Sequence, residues 1–293
     1  MGPRRALTCA AAVGAALAAC TSNQAAAPPP GPSAVTLTIT RDYGRASLDS
    51  ARAAPGQSAL TALRRNARVE TSYSGRFVDA IDGLHGDRSA GWDWLYFING
   101  IEADRGAADY TLHPGDREWW DYRYWSDLIR IPVAIGSWPD PFVHGFDGHR
   151  PRSVDVSGLA CASAVAAALR ADGVQVAARP SPYTIRVETF AAAADALAPA
   201  TWRGRGLTVY LDHGRVMVYH GPAGTRPQPD ADAVIAAYQP EATTGSAALI
   251  VAGADRSAAC AAARMLAGHP DRVAATYAVA LDGGRVVAAG GRP

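Results

Sequence analysis

Alternation of apolar and polar residues divides the chain into two regions of different character. In the first, the alternating run 35–40 predicts a strand, and Ser58 precedes an amphipathic helix with Leu60 and Leu63 on one face. Strands are also predicted over 77–81, 92–98 and 116–125. A single helix among several strands predicts a small α+β domain over residues 34–126.

Beyond residue 150 the pattern changes to Ala-rich segments, which predict an α/β domain over 153–293 joined to the first by an irregular linker, 127–152. The predicted helices are 159–169, 190–197, 231–238 and 258–266. The predicted strands are 183–187, 247–251 and a crossover strand at 131–136. Hairpins with Asp-x-Gly turns are predicted over 207–219 and 277–289.

An internal similarity runs through the second domain. Residues 209–221 and 279–291 agree at seven of thirteen positions. Two related half-domains would explain this, and so would the shared turn chemistry of two hairpins. The sequence leaves both explanations open, and this domain resembles no family known to us.

The N-terminus has the pattern of a signal peptide over residues 1–19. Arg4 and Arg5 precede an apolar stretch, 7–17, that is too short to span a bilayer. The ending Leu-Ala-Ala-Cys20 resembles the bacterial lipobox, in which the cysteine becomes the lipid-bearing first residue of the mature protein. Ordinary secretion with an incidental Cys20 is the alternative. We expect a lipid anchor on the extracytoplasmic face of the cell membrane and a Pro/Ala-rich tether over 20–33.

Composition narrows the function classes. All 28 basic residues are Arg, so chemistry that needs a lysine is excluded, and the bias is typical of a GC-rich bacterium. The formal net charge is +1 and falls to about −1 when Arg4 and Arg5 leave with the signal. A basic nucleic-acid-binding surface is therefore not expected.

Two cysteines remain in the folded part, Cys161 and Cys260, each in an Ala-rich helical stretch. Outside the cytoplasm two thiols tend to pair, so a disulfide that joins two helices is one interpretation. Two buried free thiols are the other.

The first domain carries an ordered series of short motifs that resembles the transcobalamin-like C-terminal domain family. Its members have a β-grasp-like fold and form the smaller, lid-like lobe of cobalamin carriers. The motifs are Pro55-Gly56-x-Ser58-x-Leu60, Phe77-Val78-x-x-Ile81-x-Gly83, Gly91-Trp92-x-Trp94-Leu95-Tyr96, Asn99-Gly100, Gly106-Ala-Ala-Asp-Tyr110 and Pro114-Gly115-Asp116 before an aromatic strand.

This resemblance implies a small-molecule ligand, with cobalamin or another corrinoid as the first expectation. The animal carriers hold the ligand between this lobe and an α-helical barrel, which we expect a separate protein to supply here. A membrane importer is the further expected partner. The candidate ligand contacts are Trp92, Trp94, Tyr96, Asn99, Tyr110, Trp120, Tyr122, Tyr124 and Trp125.

Aromatic residues crowd this part of the chain: six of the seven Trp fall between Trp92 and Trp138. So many large rings do not all fit inside a small domain, so those on the sheet face away from the helix are expected to be partly exposed. Packing beneath the second domain is the alternative. An exposed patch would also suit a cell-surface adaptor that binds a protein or an envelope polymer.

No catalytic motif is present, and we expect no enzymatic activity. Asp140, His144, Asp147 and His149 include metal-binding residue types, but their spacing fits no defined site, so no metal is expected. The segment 253–257 lies between a predicted strand and helix, where it predicts either an anion site or a helix cap.

Overall fold

A computed structural model describes residue 2 and residues 33–177, 180–240 and 245–290 of the protein. Apart from residue 2, the predicted signal peptide lies outside the described residues, as do Cys20 and all but the last residue of the predicted tether. The strands are β1 Val35–Arg41, β2 Ala46–Ala53, β3 Val69–Ser72, β4 Phe77–Ile81, β5 Leu84–His85, β6 Trp92–Ile98, β7 Ile101–Glu102, β8 Arg117–Tyr124, β9 Asp155–Gly158, β10 Tyr183–Thr189, β11 Val209–Asp212, β12 Arg215–Tyr219, β13 Thr225–Pro227, β14 Ala233–Tyr238, β15 Ala247–Gly253, β16 Val279–Asp282 and β17 Arg285–Ala289. The α-helices are α1 Ala59–Asn66, α2 Ala162–Ala171, α3 Phe190–Ala193, α4 Trp202–Arg205 and α5 Arg256–Gly268.

The first region is built on a five-stranded sheet in the order β2-β1-β8-β6-β7. The central strands β1 and β8 are parallel, and the remaining pairs are antiparallel. Helix α1 begins where Ser58 caps it, the Ser58 hydroxyl accepting a hydrogen bond from the Thr61 N–H. Leu60 and Leu63 are buried in one apolar cluster with Leu37 and other residues of the sheet. The predicted helix and strands of this region are therefore present.

The second region contains a six-stranded sheet in the order β17-β16-β14-β15-β10-β9. Strands β9, β10 and β15 are parallel, and β14, β16 and β17 are antiparallel to their neighbours. Helix α5 packs on β10, β14 and β15 and contacts α2. A disulfide joins Cys161, at the start of α2, to Cys260 within α5, with 5.5 Å between the Cα atoms. The described chain is thus α+β, with more strand than helix.

Two secondary-structure predictions in this part were wrong. The run 231–238 forms strand β14 instead of a helix, and its residues alternate between two buried clusters, Ile235 in one and Val234 in the other. A strand buried on both faces reads as a continuous apolar run, which periodicity does not distinguish from a helix. The segment 131–136 makes one isolated bridge, Ile101 to Val133, followed by a 3-10 turn, instead of a crossover strand.

The two similar hairpins lie in different sheets. Strand β12 pairs with β11 and with β13 in a separate three-stranded sheet, while β16 and β17 form the edge of the six-stranded sheet. Their different placement favours the shared turn chemistry over the two related halves as the explanation of the similarity.

The face of the first sheet opposite α1 lies against the second region. Trp119 and Phe97 contact the ring of Tyr277, at centroid distances of 4.9 and 5.5 Å. Buried Asp121 accepts hydrogen bonds from the Thr40 hydroxyl (2.6 Å), the Gly44 N–H (3.0 Å) and the Tyr277 hydroxyl (2.9 Å). Its burial raises the pKa of this carboxyl to about 6. Polar and aromatic contacts therefore hold the two regions together.

Gly44→Ala should weaken this contact more than an ordinary glycine replacement. Gly44 has a φ of +75°, and an added Cβ would lie 1.6 Å from the carbonyl oxygen of Ala275. We expect the free energy of unfolding, measured in urea, to fall by about 1–3 kcal/mol. Gly56→Ala is the matched control, because Gly56 has a φ of +81° and no heavy atom within 4 Å of the added Cβ. Equal losses in the two variants would show that strain, and not the Ala275 contact, determines the effect.

Candidate ligand-binding pocket

The pairing of β6 with β8 brings the predicted aromatic residues onto one face of the first sheet. Trp92 lies opposite Tyr124, Trp94 opposite Tyr122, and Tyr96 opposite Trp120. This is the face that carries the α1 core, since Trp94 and Trp120 belong to the same buried cluster as Leu63. The placement follows from the two-residue period of a strand.

The prediction of an exposed aromatic patch on the sheet face away from the helix was wrong. That face carries Phe97 and Trp119, and Tyr277 of the second region lies against both. Packing beneath the second region, the alternative, is the observed arrangement. The sequence did not decide between them because the docking of the second region determines which face is covered.

A small pocket of about 260 Å³ opens between β4, β6 and the segment that follows β7. Its wall contains three of the nine predicted contacts, Trp94, Tyr96 and Trp120. The lining residues are Arg76, Phe77, Val78, Trp94, Leu95, Tyr96, Glu102, Ala103, Arg105, Gly106, Ala107 and Trp120. We call this the aromatic pocket.

The rings of the aromatic pocket are held in fixed positions. Tyr96 stacks on Trp120 with 4.8 Å between ring centroids and 17° between planes. The Tyr96 hydroxyl donates a hydrogen bond to the Arg105 carbonyl (2.6 Å), and the Trp94 indole N–H donates to the Leu84 carbonyl (2.8 Å). Polar atoms of both rings are therefore satisfied by backbone oxygens, and their apolar faces form the wall.

Gly106, in the loop after β7, allows that loop to lie close to the turn before β4. A Cβ at this position would lie 2.8 Å from the Arg76 carbonyl oxygen, so a side chain would force the loop away from the turn. The Arg76 guanidinium lies 3.8 Å from the Asp109 carboxylate across the same junction, in an exposed ion pair. Gly106 thus belongs to the geometry that forms the pocket.

Behind Trp120 lies a buried carboxyl that the sequence did not single out. The Trp120 indole N–H donates to Glu118 Oε1 at 2.6 Å, and Glu118 Oε2 is buried with no hydrogen-bond partner among the described residues. Burial raises the pKa of Glu118 to about 8. Burial also raises the pKa of Tyr96, with the Glu118 charge as a further cause, so its hydroxyl stays a donor.

The other predicted contacts lie elsewhere. Buried Asn99 donates to Asp116 Oδ1 (2.8 Å) and to the Gly145 carbonyl (3.0 Å), and buried Tyr110 accepts from the Asp147 N–H (2.9 Å). Both serve the fold, because their polar groups form hydrogen bonds within the protein.

The rings of Trp92 and Tyr122 stack with 5.6 Å between their centroids. Both residues and Tyr124 are half-buried and lie outside the aromatic pocket. Trp125 follows the end of β8. Trp92 instead lines a separate hollow with Tyr43 and His220.

The four residues of metal-binding type in the 140–149 segment do not lie together around one point. Asp140 Oδ1 lies 3.0 Å from His144 Nδ1, whereas Asp147 Oδ2 is 3.1 Å from the Arg105 guanidinium. Within the part of the chain that the structure describes, no group of three or more His, Cys, Asp or Glu side chains is arranged to hold a metal ion. Asp255, of the segment weighed as an anion site, caps α5 by accepting from the Ala258 N–H at 2.9 Å.

Residues outside the predicted set complete the pocket. Phe77 and Arg76 come from β4 and the turn before it, and Arg105 from the loop after β7. Arg105 immediately precedes the Gly106-Ala-Ala-Asp-Tyr110 motif of the family resemblance, whereas no local signal indicated Arg76. Its role depends on the position of β4 beside β6.

The family model described as a domain of unknown function (DUF4430) matches residues 56–123. That segment runs from the turn before α1 into β8 and includes the aromatic pocket. No curated protein matches the chain with statistical significance.

Two solved structures align with part of this chain at low similarity. A protein of Ruminococcus gnavus ATCC 29149, which carries the provisional name of a metal-binding protein, aligns over 31% of this chain and 96% of its own, with 16% identity and a TM-score of 0.27. Haptocorrin in complex with Cbi aligns over 31% of this chain and 25% of its own, with 14% identity and a TM-score of 0.27. The chain thus covers about a quarter of haptocorrin.

None of the helices formed by the described residues is both long and apolar enough to cross a bilayer.

Proposed function

We propose that this protein is a lipid-anchored extracytoplasmic lipoprotein that binds a small molecule in the aromatic pocket and presents it to a membrane importer. The aromatic pocket carries the proposal: it is concave and largely apolar, and its stacked rings are held by hydrogen bonds, from Tyr96 to the Arg105 carbonyl and from Trp120 to Glu118. The anchor and the compartment rest on the signal-like N-terminus and Cys20.

The expected ligand presents a flat or apolar group to the pocket. Its volume of about 260 Å³ is below the roughly 300–1,000 Å³ of sites that enclose a drug-sized molecule, so the pocket holds one part of a larger ligand. A corrinoid is the first candidate, supported by the motif resemblance of residues 55–125. The strand order β2-β1-β8-β6-β7 with a parallel central pair supports a β-grasp-like lobe, and a separate barrel protein would cover the rest of the ligand.

Filling the aromatic pocket should weaken binding of the ligand. Ala103, half-buried in its wall, allows an Ala103→Phe replacement that adds volume without removing a contact. We expect at least a tenfold loss of affinity for cobalamin or cobinamide, measured by calorimetry and by quenching of tryptophan fluorescence. Ala223→Phe is the matched control, since Ala223 lines the separate hollow beside Trp92.

Three outcomes are informative. Loss in Ala103→Phe alone supports the aromatic pocket. Loss in Ala223→Phe alone moves the site to the hollow beside Trp92. No heat and no spectral change with the wild-type protein, with or without a barrel partner, would rule out the corrinoid.

A further inference from the structure

A second and larger cleft, of about 990 Å³, lies where the first region, the 127–152 segment and the second region meet. Ligand sites occur preferentially at such junctions, and this volume suffices for a complete small molecule. Residues from all three parts line it, among them Asp104, Arg105, Asp147, Arg150, Arg152 and Tyr183. We call it the junction cleft.

The carboxylates of the junction cleft are already engaged. The Arg105 guanidinium lies 2.8 Å from Asp104 and 3.1 Å from Asp147, so one arginine contacts both acids. Arg150 and Arg152 are exposed and have no ion pair or hydrogen bond within the described residues. The charge available to a ligand in this cleft is therefore positive.

A further polar group of the junction cleft, the Tyr183 hydroxyl, is a hydrogen-bond donor. Tyr183 is 4% exposed, packs edge-on against Phe142 at 6.2 Å, and its hydroxyl has no hydrogen-bond partner among the residues described. Burial raises its pKa to about 12, so the hydroxyl is protonated at neutral pH. The neighbouring Ser181 hydroxyl donates to the Ser153 carbonyl at 2.6 Å and is thereby used.

Two arginines separated by one residue suit a ligand with two adjacent negative groups. Each guanidinium is a planar fork that pairs bidentately with a phosphate or carboxylate. Pro151 between them restricts the backbone, which limits the entropy lost when both side chains engage one ligand. A cationic ligand would meet two unpaired arginines and is disfavoured.

We infer that the junction cleft binds a small molecule with two neighbouring anionic groups, a diphosphate or a dicarboxylate, through Arg150, Arg152 and the Tyr183 hydroxyl. The junction cleft shares Arg105 with the wall of the aromatic pocket, but Arg150, Arg152 and Tyr183 do not line that pocket, and the inference does not depend on the proposed function.

Calorimetric titration of the full protein with sodium pyrophosphate and with succinate, at constant ionic strength, tests the site. The double variant Arg150→Gln plus Arg152→Gln should lose at least tenfold in affinity for the probe that binds, and Tyr183→Phe should lose a few-fold. The matched control is Arg215→Gln plus Arg226→Gln, which removes the same charge from exposed positions of β12 and β13. Circular dichroism confirms that each variant is folded.

The outcome of the titration distinguishes the chemical class of the anion and can overturn the inference. Binding of pyrophosphate but not succinate identifies a phosphate ligand, and the reverse identifies a carboxylate. No heat from either probe, or equal losses in the two double variants, would overturn the inference. Arg150→Gln plus Arg152→Gln should leave affinity for the corrinoid unchanged, because neither residue lines the aromatic pocket, so failure of the aromatic pocket and failure of this site are distinguishable.

Discussion

Replacing Cys161 and Cys260 by serine should lower the free energy of unfolding by about 3–5 kcal/mol. The disulfide joins residues 99 apart in the sequence, and in the chain-entropy treatment a closed loop of about 100 residues restricts the unfolded chain by roughly that amount. Both cysteines are only partly buried, so serine adds little desolvation cost of its own. Urea unfolding followed by circular dichroism measures the change.

Reduction of the wild-type protein is the control for this prediction. Dithiothreitol should bring the wild type to the stability of the double serine variant and leave that variant unchanged. Equal stability of oxidised wild type and double variant would show that the bond between α2 and α5 adds nothing to the fold.

Glu118→Gln should remove a pH dependence of stability that the wild type shows above neutral pH. Because burial raises the folded-state pKa of Glu118 from 4.5 to about 8, the folded protein keeps a proton that the unfolded chain releases. The free energy of unfolding therefore falls as pH rises between these two values, by at most about 1.4 kcal/mol per pH unit. The stability present below pH 4.5 is lost by the time the pH exceeds 8.

Denaturant unfolding between pH 5 and pH 9 tests this expectation. Asp121, whose pKa is raised to about 6, contributes in the same direction, as do other buried carboxyls with a raised pKa such as Glu102. The difference between the two proteins from pH 6.5 to 8 therefore reports on Glu118. The stability of Glu118→Gln should fall less steeply with pH there than that of the wild type, and the variant should be more stable than wild type at pH 9, on the order of a few kcal/mol. At pH 5 the two should be similar, since both then carry a neutral side chain. Parallel profiles above pH 6.5 would assign the slope to another group.

Local signals predicted the elements that depend on neighbouring residues. The Ser58 cap precedes α1, and Asn99-Gly100 connects β6 to β7. The hairpin turns of the second region also fall where Asp-x-Gly placed them. These signals work because helix capping and left-handed turn residues act within a few positions of the chain.

The aromatic residues show which structural features local sequence signals do not predict. Trp94, Tyr96 and Trp120 were predicted as contacts and do line a common pocket. Asn99 and Tyr110, predicted with them, are buried and satisfied internally. Spacing gave the face on which a side chain lies, but burial and pocket formation depend on what packs against that face.

By itself the sequence determined the local structure of this protein: the strand periods, the helix caps, the turns and the residue types available for chemistry. Tertiary structure alone decided that β14 is a strand, that Trp119 lies under the second region and that Arg150 and Arg152 share a cleft with Tyr183. The physical reason is the distance along the chain between the residues that interact. Capping and turn preferences involve atoms a few residues apart, whereas sheet order and domain docking depend on the burial of apolar surface contributed by distant segments.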